Sequence, residues 1–204
     1  MARYGPEHKD LTRRRIVDAA GRRFKSDGLD GSGIATLVAD AGLTNGAFYG
    51  HFASKDDLIA SVVAQQLAEQ TARVAALPAG PGSVETFVSA YLSPGHRDDV
   101  AGGCPSAALL DEVGRSSDAI REAYTQGVRE LVAAIGRHLD VTDEGERESR
   151  AIGLITLLAG ALQAARAVTD RELSDRILAV TCAQAMAIAS PSSHSPISAR
   201  QDTP

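Results

Sequence analysis

The chain has 204 residues, 44% of them apolar, no Trp, and a formal charge of −5. That length suits one large domain, or a small domain joined to a larger one, with a real core. The longest uncharged apolar stretch, Ala151 to Ala165, falls short of the roughly 20 residues a membrane span needs, so it reads as a buried helix and no membrane partner is expected.

Charge distribution says more than the net value. Residues 1–25 hold eight Lys or Arg against three Asp or Glu, a head of +5 before a remainder of −10. A basic part that meets phosphate and an acidic body that avoids it would look like this, as would an Arg-rich solvated helix face. Met1 to Phe24 is charged throughout and has no apolar core of a secretory signal. Cys104 and Cys182 stand far apart and match no disulfide or zinc pattern, which suits a reducing cytoplasm.

The apolar residues recur at helical spacing, so the fold class is all-α. Thr12 to Lys25 carries Ile16, Ala19, Ala20 and Phe24 on one face and ends at Gly28. Ser32 is placed to cap a short helix from Gly33 to about Asp40, followed by the turn Ala41-Gly42-Leu43. Thr44 then caps a third helix through about His51, and Ser54 with Asp57 forms a capping box for a fourth that runs to about Leu77.

Pro78 to Gly82 is the clearest break, after which Ser83 caps a helix whose inner face is Val84, Phe87, Val88 and Tyr91. An irregular stretch from Ser93 to Gly103 leads to Cys104-Pro105, which opens a helix ending near Val113. Ile120, Tyr124, Val128, Leu131, Ile135 and Leu139 mark a long helix. Two more are expected at about Asp143 to Val168 and Asp170 to Ala189, the second opened by Thr169 and Glu172. The organisation is then a small basic head domain over 1–60, a helical body over 61–189, and a disordered polar tail over 190–204.

Residues 32–55 carry the function. Two short helices joined by a glycine turn, behind a basic helix, make a helix-turn-helix, whose second helix fits the major groove. Leu37, Val38, Ala41, Leu43, Phe48 and Phe52 have the spacing of its core, which turns Asn45, Gly46, Ala47, Tyr49 and His51 outward. Asn45 suits an adenine edge, Ala47 a thymine methyl, and Gly46 close approach. Tyr49, His51, Lys55, Thr44 and Ser32 suit phosphates.

The run AGLTNGAFYGHFASKDDL, residues 41–58, resembles the DNA-binding signature of the TetR/AcrR family of regulators. The resemblance implies a homodimer of about nine helices per subunit, three in the DNA head and the rest in an effector-binding, dimerising body. The helix count read above agrees. Its DNA contacts would fall on Ser32, Thr36, Thr44, Asn45, Gly46, Ala47, Tyr49, Gly50, His51 and Lys55. Ala47 stands where a hydroxyl residue is frequent and Gly50 where a larger side chain is common. The partners implied are a palindromic duplex operator and a small effector that releases a repressor from it.

In the body, Phe87, Tyr91, Leu109, Leu110, Val113, Tyr124 and Val128 either line a cavity or form core, with Thr156 or Gln163 as polar contacts. Cys104, directly before Pro105 at a helix start, is a candidate electrophile or redox sensor or, more simply, an inert space-filler. A cysteine-dependent enzyme would need a base beside that thiol; no recognisable arrangement supplies one, so no enzyme and no cofactor is expected. His96, Asp98 and Asp99 read as a solvated loop rather than a metal site. Ser149, Gly153, Thr156, Gly160, Ala164 and Ala167 form a stripe of small residues that suits a two-fold interface or packing against the long helix before it.

Overall fold

The computed structural model describes residues 6–80 and 82–190. These form ten helices and no strand: α1 (Pro6–Asp27), α2 (Ile34–Asp40), α3 (Asn45–Tyr49), α4 (Lys55–Ala75), α5 (Ser83–Tyr91), α6 (Pro94–Asp98), α7 (Pro105–Gly114), α8 (Asp118–Gly136), α9 (Glu144–Ala167) and α10 (Arg171–Ala189). The tail expected to be disordered lies, after Ser190, outside the described residues.

The extra helix is α6, inside the stretch expected to be irregular. Ser93 caps it, its hydroxyl accepting from His96 N at 3.1 Å, and Pro94 occupies the first turn. The first helix starts at Pro6 rather than Thr12. At the expected capping box Asp57 N donates to Ser54 Oγ, while the Asp57 carboxylate reaches back one residue further and accepts from Ala53 N. Three expected caps shift by one residue. Gly33 and Gly82 take the positions given to Ser32 and Ser83, and Asp170 replaces Thr169, accepting from Leu173 N.

The head forms because α1 places Ile16, Ala20 and Phe24 on one face at steps of four, buried against Leu37, Val38, Phe48, Phe52, Leu58 and Val62. Between α2 and α3 the chain makes a Schellman turn. Leu43 N donates to Val38 O and Gly42 N to Ala39 O, with Gly42 at φ +69°, where a side chain would be strained. The arginines of α1 brace this unit. Arg23 pairs with Asp40 through two bonds of 2.8 and 3.1 Å, Arg15 donates to Ala41 O at 2.7 Å, and Arg13 lies 4.9 Å over the Phe52 ring.

Helix α4 belongs to head and body alike. Its Val62 meets Gly21 of α1, and its Leu67 fills the space where Gly127 of α8 has no side chain, so the α4–α8 crossing requires that glycine. The body core continues through Leu109, Ile120, Leu131, Ile135, Leu154, Leu158 and Leu162. Buried Arg97 ties α6 to α10 through Ser174 and Asp175, and pairs with its neighbour Asp98. No described helix is long and apolar enough to cross a membrane, and no described group of three His, Cys, Asp or Glu could hold a metal.

Candidate nucleic-acid interface and ligand cavity

Helix α3 is one and a half turns long, too short to persist alone, and is held from behind by Phe48, fully buried and 5.5 Å from the Phe52 ring. That anchoring turns Asn45, Gly46 and Gly50 to solvent and leaves Tyr49 69% exposed, its ring edge-on to Phe48. Thr44 is the N-cap residue by position, yet its hydroxyl makes no capping bond and stands exposed beside Asn45. A side-chain carbon added at Gly46 would meet nothing within 4 Å, so packing inside the subunit does not demand a glycine there. Thr36 of α2 is exposed on the same unit.

Four residues expected on this surface sit differently. Ser32 is only 5% exposed, and its hydroxyl turns to Asp27 Oδ2 at 3.4 Å. His51 is half-buried, with Nδ1 enclosed and unpartnered. Burial, and then the nearby charges of Lys9 and Arg13, lower its pKa and favour the neutral ring. Lys55 is half-buried and 3.8 Å from the exposed Asp30, a contact too solvated to hold it from a phosphate. Ala47 is half-buried.

In the body, a cavity of about 320 Å³ opens between α4, α5 and the segment before α7. Phe87, Leu77 and Ala90 give it apolar walls, and Tyr91, Gln70, His96 and Cys104 give it polar ones. Tyr91 is 5% exposed, and its hydroxyl makes no hydrogen bond of ordinary geometry, though the Cys104 thiol lies beside it. Burial pushes that phenol well above its ordinary pKa, so it stays a proton donor. Cys104 Sγ donates to Gln70 Oε1 at 3.1 Å. Cys104 N donates to His96 Nε2 at 3.0 Å, so the ring proton lies on Nδ1, which donates to Tyr91 O at 2.7 Å. An apolar slot with one unsatisfied buried donor fits a compact ligand carrying an acceptor.

Of the residues expected to line a pocket, Phe87, Tyr91 and Cys104 do so here. Leu109 and Val113 are core. Tyr124 donates to Ser106 Oγ at 3.0 Å and Gln163 to Ser106 O at 3.2 Å, fastening α7 to α8 and α9. Leu110 is exposed, because the inner face of α7 carries its neighbours at 109 and 113. Thr156 is also exposed, its hydroxyl returned to Ile152 O of its own helix. Val128 lines a separate hollow of about 470 Å³ between α8 and α9, among charged stems such as Arg129 and Arg147. That hollow contains no unpartnered buried polar atom among the described residues.

The small-residue stripe faces outward. Thr156, Gly160 and Ala164 are exposed, Gly153 is half-buried, and nothing lies within 4 Å of a side chain built at Gly160. Packing of the stripe on the preceding long helix, one of the two sequence-based expectations, therefore does not occur. Exposed Ile152 on α9 and Leu173 and Val180 on α10 add apolar surface to these two helices.

Residues that sequence reasoning passed over join head to body. Lys25 of α1, 8% exposed, donates to Gly103 O at 2.8 Å, and Leu29 N donates to Glu112 Oε2 of α7 at 2.7 Å. Arg166 of α9 gives its guanidinium to the carbonyls of His96, Arg97 and Ala107, fixing the segment that carries Cys104. Gln70 did carry a signal, since it is a polar residue in the apolar series Val63, Leu67, Gln70, Val74. Lys25 and Glu112 carried none.

Residues 16–62 match the model of the family described as bacterial regulatory proteins, tetR family. The HTH-type transcriptional regulator AcrR of Shigella flexneri is 36% identical over 62 residues, 30% of this chain and 29% of AcrR. The match thus spans less than a third of that relative's own length. An HTH-type transcriptional repressor of Mycobacterium tuberculosis is 26% identical over 151 residues, 74% of this chain and 73% of the repressor. The fold is similar to that of Escherichia coli NemR in its reduced form, with a TM-score of 0.76 at 22% identity, covering 90% of this chain and 100% of NemR.

Proposed function

We propose that this chain, whose residues 16–62 match the tetR family model, is a dimeric repressor of the TetR/AcrR family of transcriptional regulators, released from a palindromic operator by a small effector. The observation that carries the DNA-binding part is the presentation of Asn45 and Tyr49 on a helix anchored by Phe48 and Phe52. Asn45 and Ala47 read base edges, while Tyr49, Thr44, Thr36 and Lys55 hold the backbone in register. The outward stripe on α9, with α10, supports a two-fold dimer that sets two recognition helices one DNA turn apart. The effector occupies the cavity bounded by Tyr91 and Gln70, whose unsatisfied hydroxyl selects an acceptor-bearing ligand. It releases DNA only in so far as it binds one arrangement of head and body better than another.

Fluorescence anisotropy on duplex DNA from upstream of the gene tests this. Binding falls steeply with added salt, and Asn45→Ala weakens it by about 1–3 kcal/mol while relaxing base preference at one position. Binding that ignores salt, or none at low ionic strength, refutes the operator reading.

A second reading keeps the fold and makes Cys104 the sensing group. It is favoured by one observation: the thiol lines the same cavity as the unpartnered Tyr91 hydroxyl. Alkylation by iodoacetamide would then release DNA from the wild type and from Cys182→Ser but not from Cys104→Ser. A cysteine-dependent enzyme has no such support, because His96 accepts from the Cys104 backbone while the thiol faces the Gln70 amide.

A further inference from the structure

We propose a second ligand site, at the junction of head and body, for a small hydroxylated phosphomonoester. A polar cavity of about 340 Å³ lies between α1, α4 and the segment 101–105, and Arg22, Lys25 and Arg73 all line it. Asp18 and Arg22 on α1, and Glu69 and Arg73 on α4, have the four-residue spacing at which opposite charges pair. Neither pair forms. Gln65 Nε2 instead holds both carboxylates, at 2.7 Å from Asp18 Oδ1 and 2.9 Å from Glu69 Oε1. Both guanidinium groups are left without an ion pair among the described residues and border the cavity.

Lys25 adds a third positive charge. Its one hydrogen bond goes to the neutral Gly103 carbonyl, and burial lowers its pKa, with Arg73 acting in the same direction and Cys104, Asp99 and Glu69 opposing it. Three cations against the two carboxylates of Asp18 and Glu69, both engaged by Gln65, leave the lining net positive and call for an anion, and two guanidinium forks with an ammonium match the oxygens of one dianionic phosphoryl group. Asp18 and Glu69 in the same lining oppose a longer polyphosphate. Gln66 supplies the remaining requirement: its Oε1 is buried without a partner in this lining, where a ligand hydroxyl would satisfy it.

Such a ligand bridges α1 to α4 beside the Lys25–Gly103 bond. Arg73, Gly102 and Gly103 border this cavity and the Cys104 cavity alike, so the two sites meet across one short segment. Occupancy here stiffens the junction through which the head is held.

The test is calorimetric titration of the full chain, without DNA, at constant ionic strength. Glycerol 3-phosphate binds saturably, inorganic phosphate more weakly, and glycerol not at all. Arg22→Gln and Arg73→Gln, both at exposed positions that leave the core intact, each weaken binding roughly tenfold, whereas Arg176→Gln on α10 does not. Circular dichroism confirms that each variant is folded. Equal affinity in Arg22→Gln, Arg73→Gln and wild type overturns the site, as does absence of saturable binding. Inorganic phosphate binding as tightly as glycerol 3-phosphate overturns the role given to Gln66. Because no DNA is present, failure here leaves the operator reading untouched.

Discussion

Lys25 Nζ and the Gly103 carbonyl oxygen stand 2.8 Å apart, and the N–H of that same peptide group, on Cys104, donates to His96 Nε2. One peptide group therefore links the end of α1 to the imidazole that stacks edge-on against Tyr91, at 4.7 Å between ring centroids. A ligand that displaced Tyr91 or His96 would pull on the helix that braces the helix-turn-helix. Leu29 N to Glu112 Oε2 is a second tie, a few residues further along both elements.

The second tie has a measurable stability. Glu112→Ala leaves the buried Leu29 N–H without an acceptor and costs about 1–3 kcal/mol in urea unfolding, while Glu112→Gln keeps an oxygen there and loses less. Lys25→Met removes a desolvated cation together with its bond, so it stays within about 1 kcal/mol of wild type. Its signature is faster amide exchange at Cys104, whose peptide group has lost its tether.

Two glycines in the helix-turn-helix separate fold from function. Gly42 has φ +69°, and Gly42→Ala destabilises by about 1–2 kcal/mol in thermal unfolding. Gly46 lies in α3 with open space around it, so Gly46→Ala is neutral or stabilising by up to about 1 kcal/mol. The new methyl faces the groove, however, and DNA affinity falls in anisotropy. Unchanged affinity would mean that α3 does not approach bases at that point.

Stability follows pH through His96. Burial holds its pKa below the ordinary 6.5, so the folded chain takes up its proton later than the unfolded chain does. The contribution is fully present above pH 6.5 and is lost as pH falls from there through the folded value. His51 is lowered in the same direction. Urea midpoints at pH 7.5 and 5.5 should therefore differ, and the difference should shrink in His96→Gln. An unchanged difference would remove His96 from this role.

The outward stripe on α9 sets an assembly test. Gly160→Arg introduces a bulky charge where the subunit itself offers no contact, so the variant folds and sediments as a monomer while the wild type sediments as a dimer. A dimeric Gly160→Arg would move the two-fold interface elsewhere.

Local spacing made much of this legible. The core faces of α1 and α2, the glycine turn, the Ser54 cap and the outward turn of Asn45, Gly46 and Tyr49 each depend on residues a few positions apart, and each stands as read, whereas Ala47 and His51 are half-buried. Ser32 and the Thr169 cap were misread for a related reason. A hydroxyl near a helix start has several backbone and side-chain partners within reach, and at Ser32 the carboxylate of Asp27 prevailed. Leu110 and Thr156 matched a pocket in residue type, but helix rotation turned them outward.

The sequence alone determined an all-helical chain with a helix-turn-helix head, because helical periodicity and turn chemistry act over one or two turns. Only the tertiary structure decided which body residues meet. Lys25 reaches Gly103 across 78 positions and Cys104 reaches Gln70 across 34, and no local pattern records such contacts. They exist because helices packed at particular rotations exclude water between them, and a buried donor then takes whatever acceptor the packing leaves beside it.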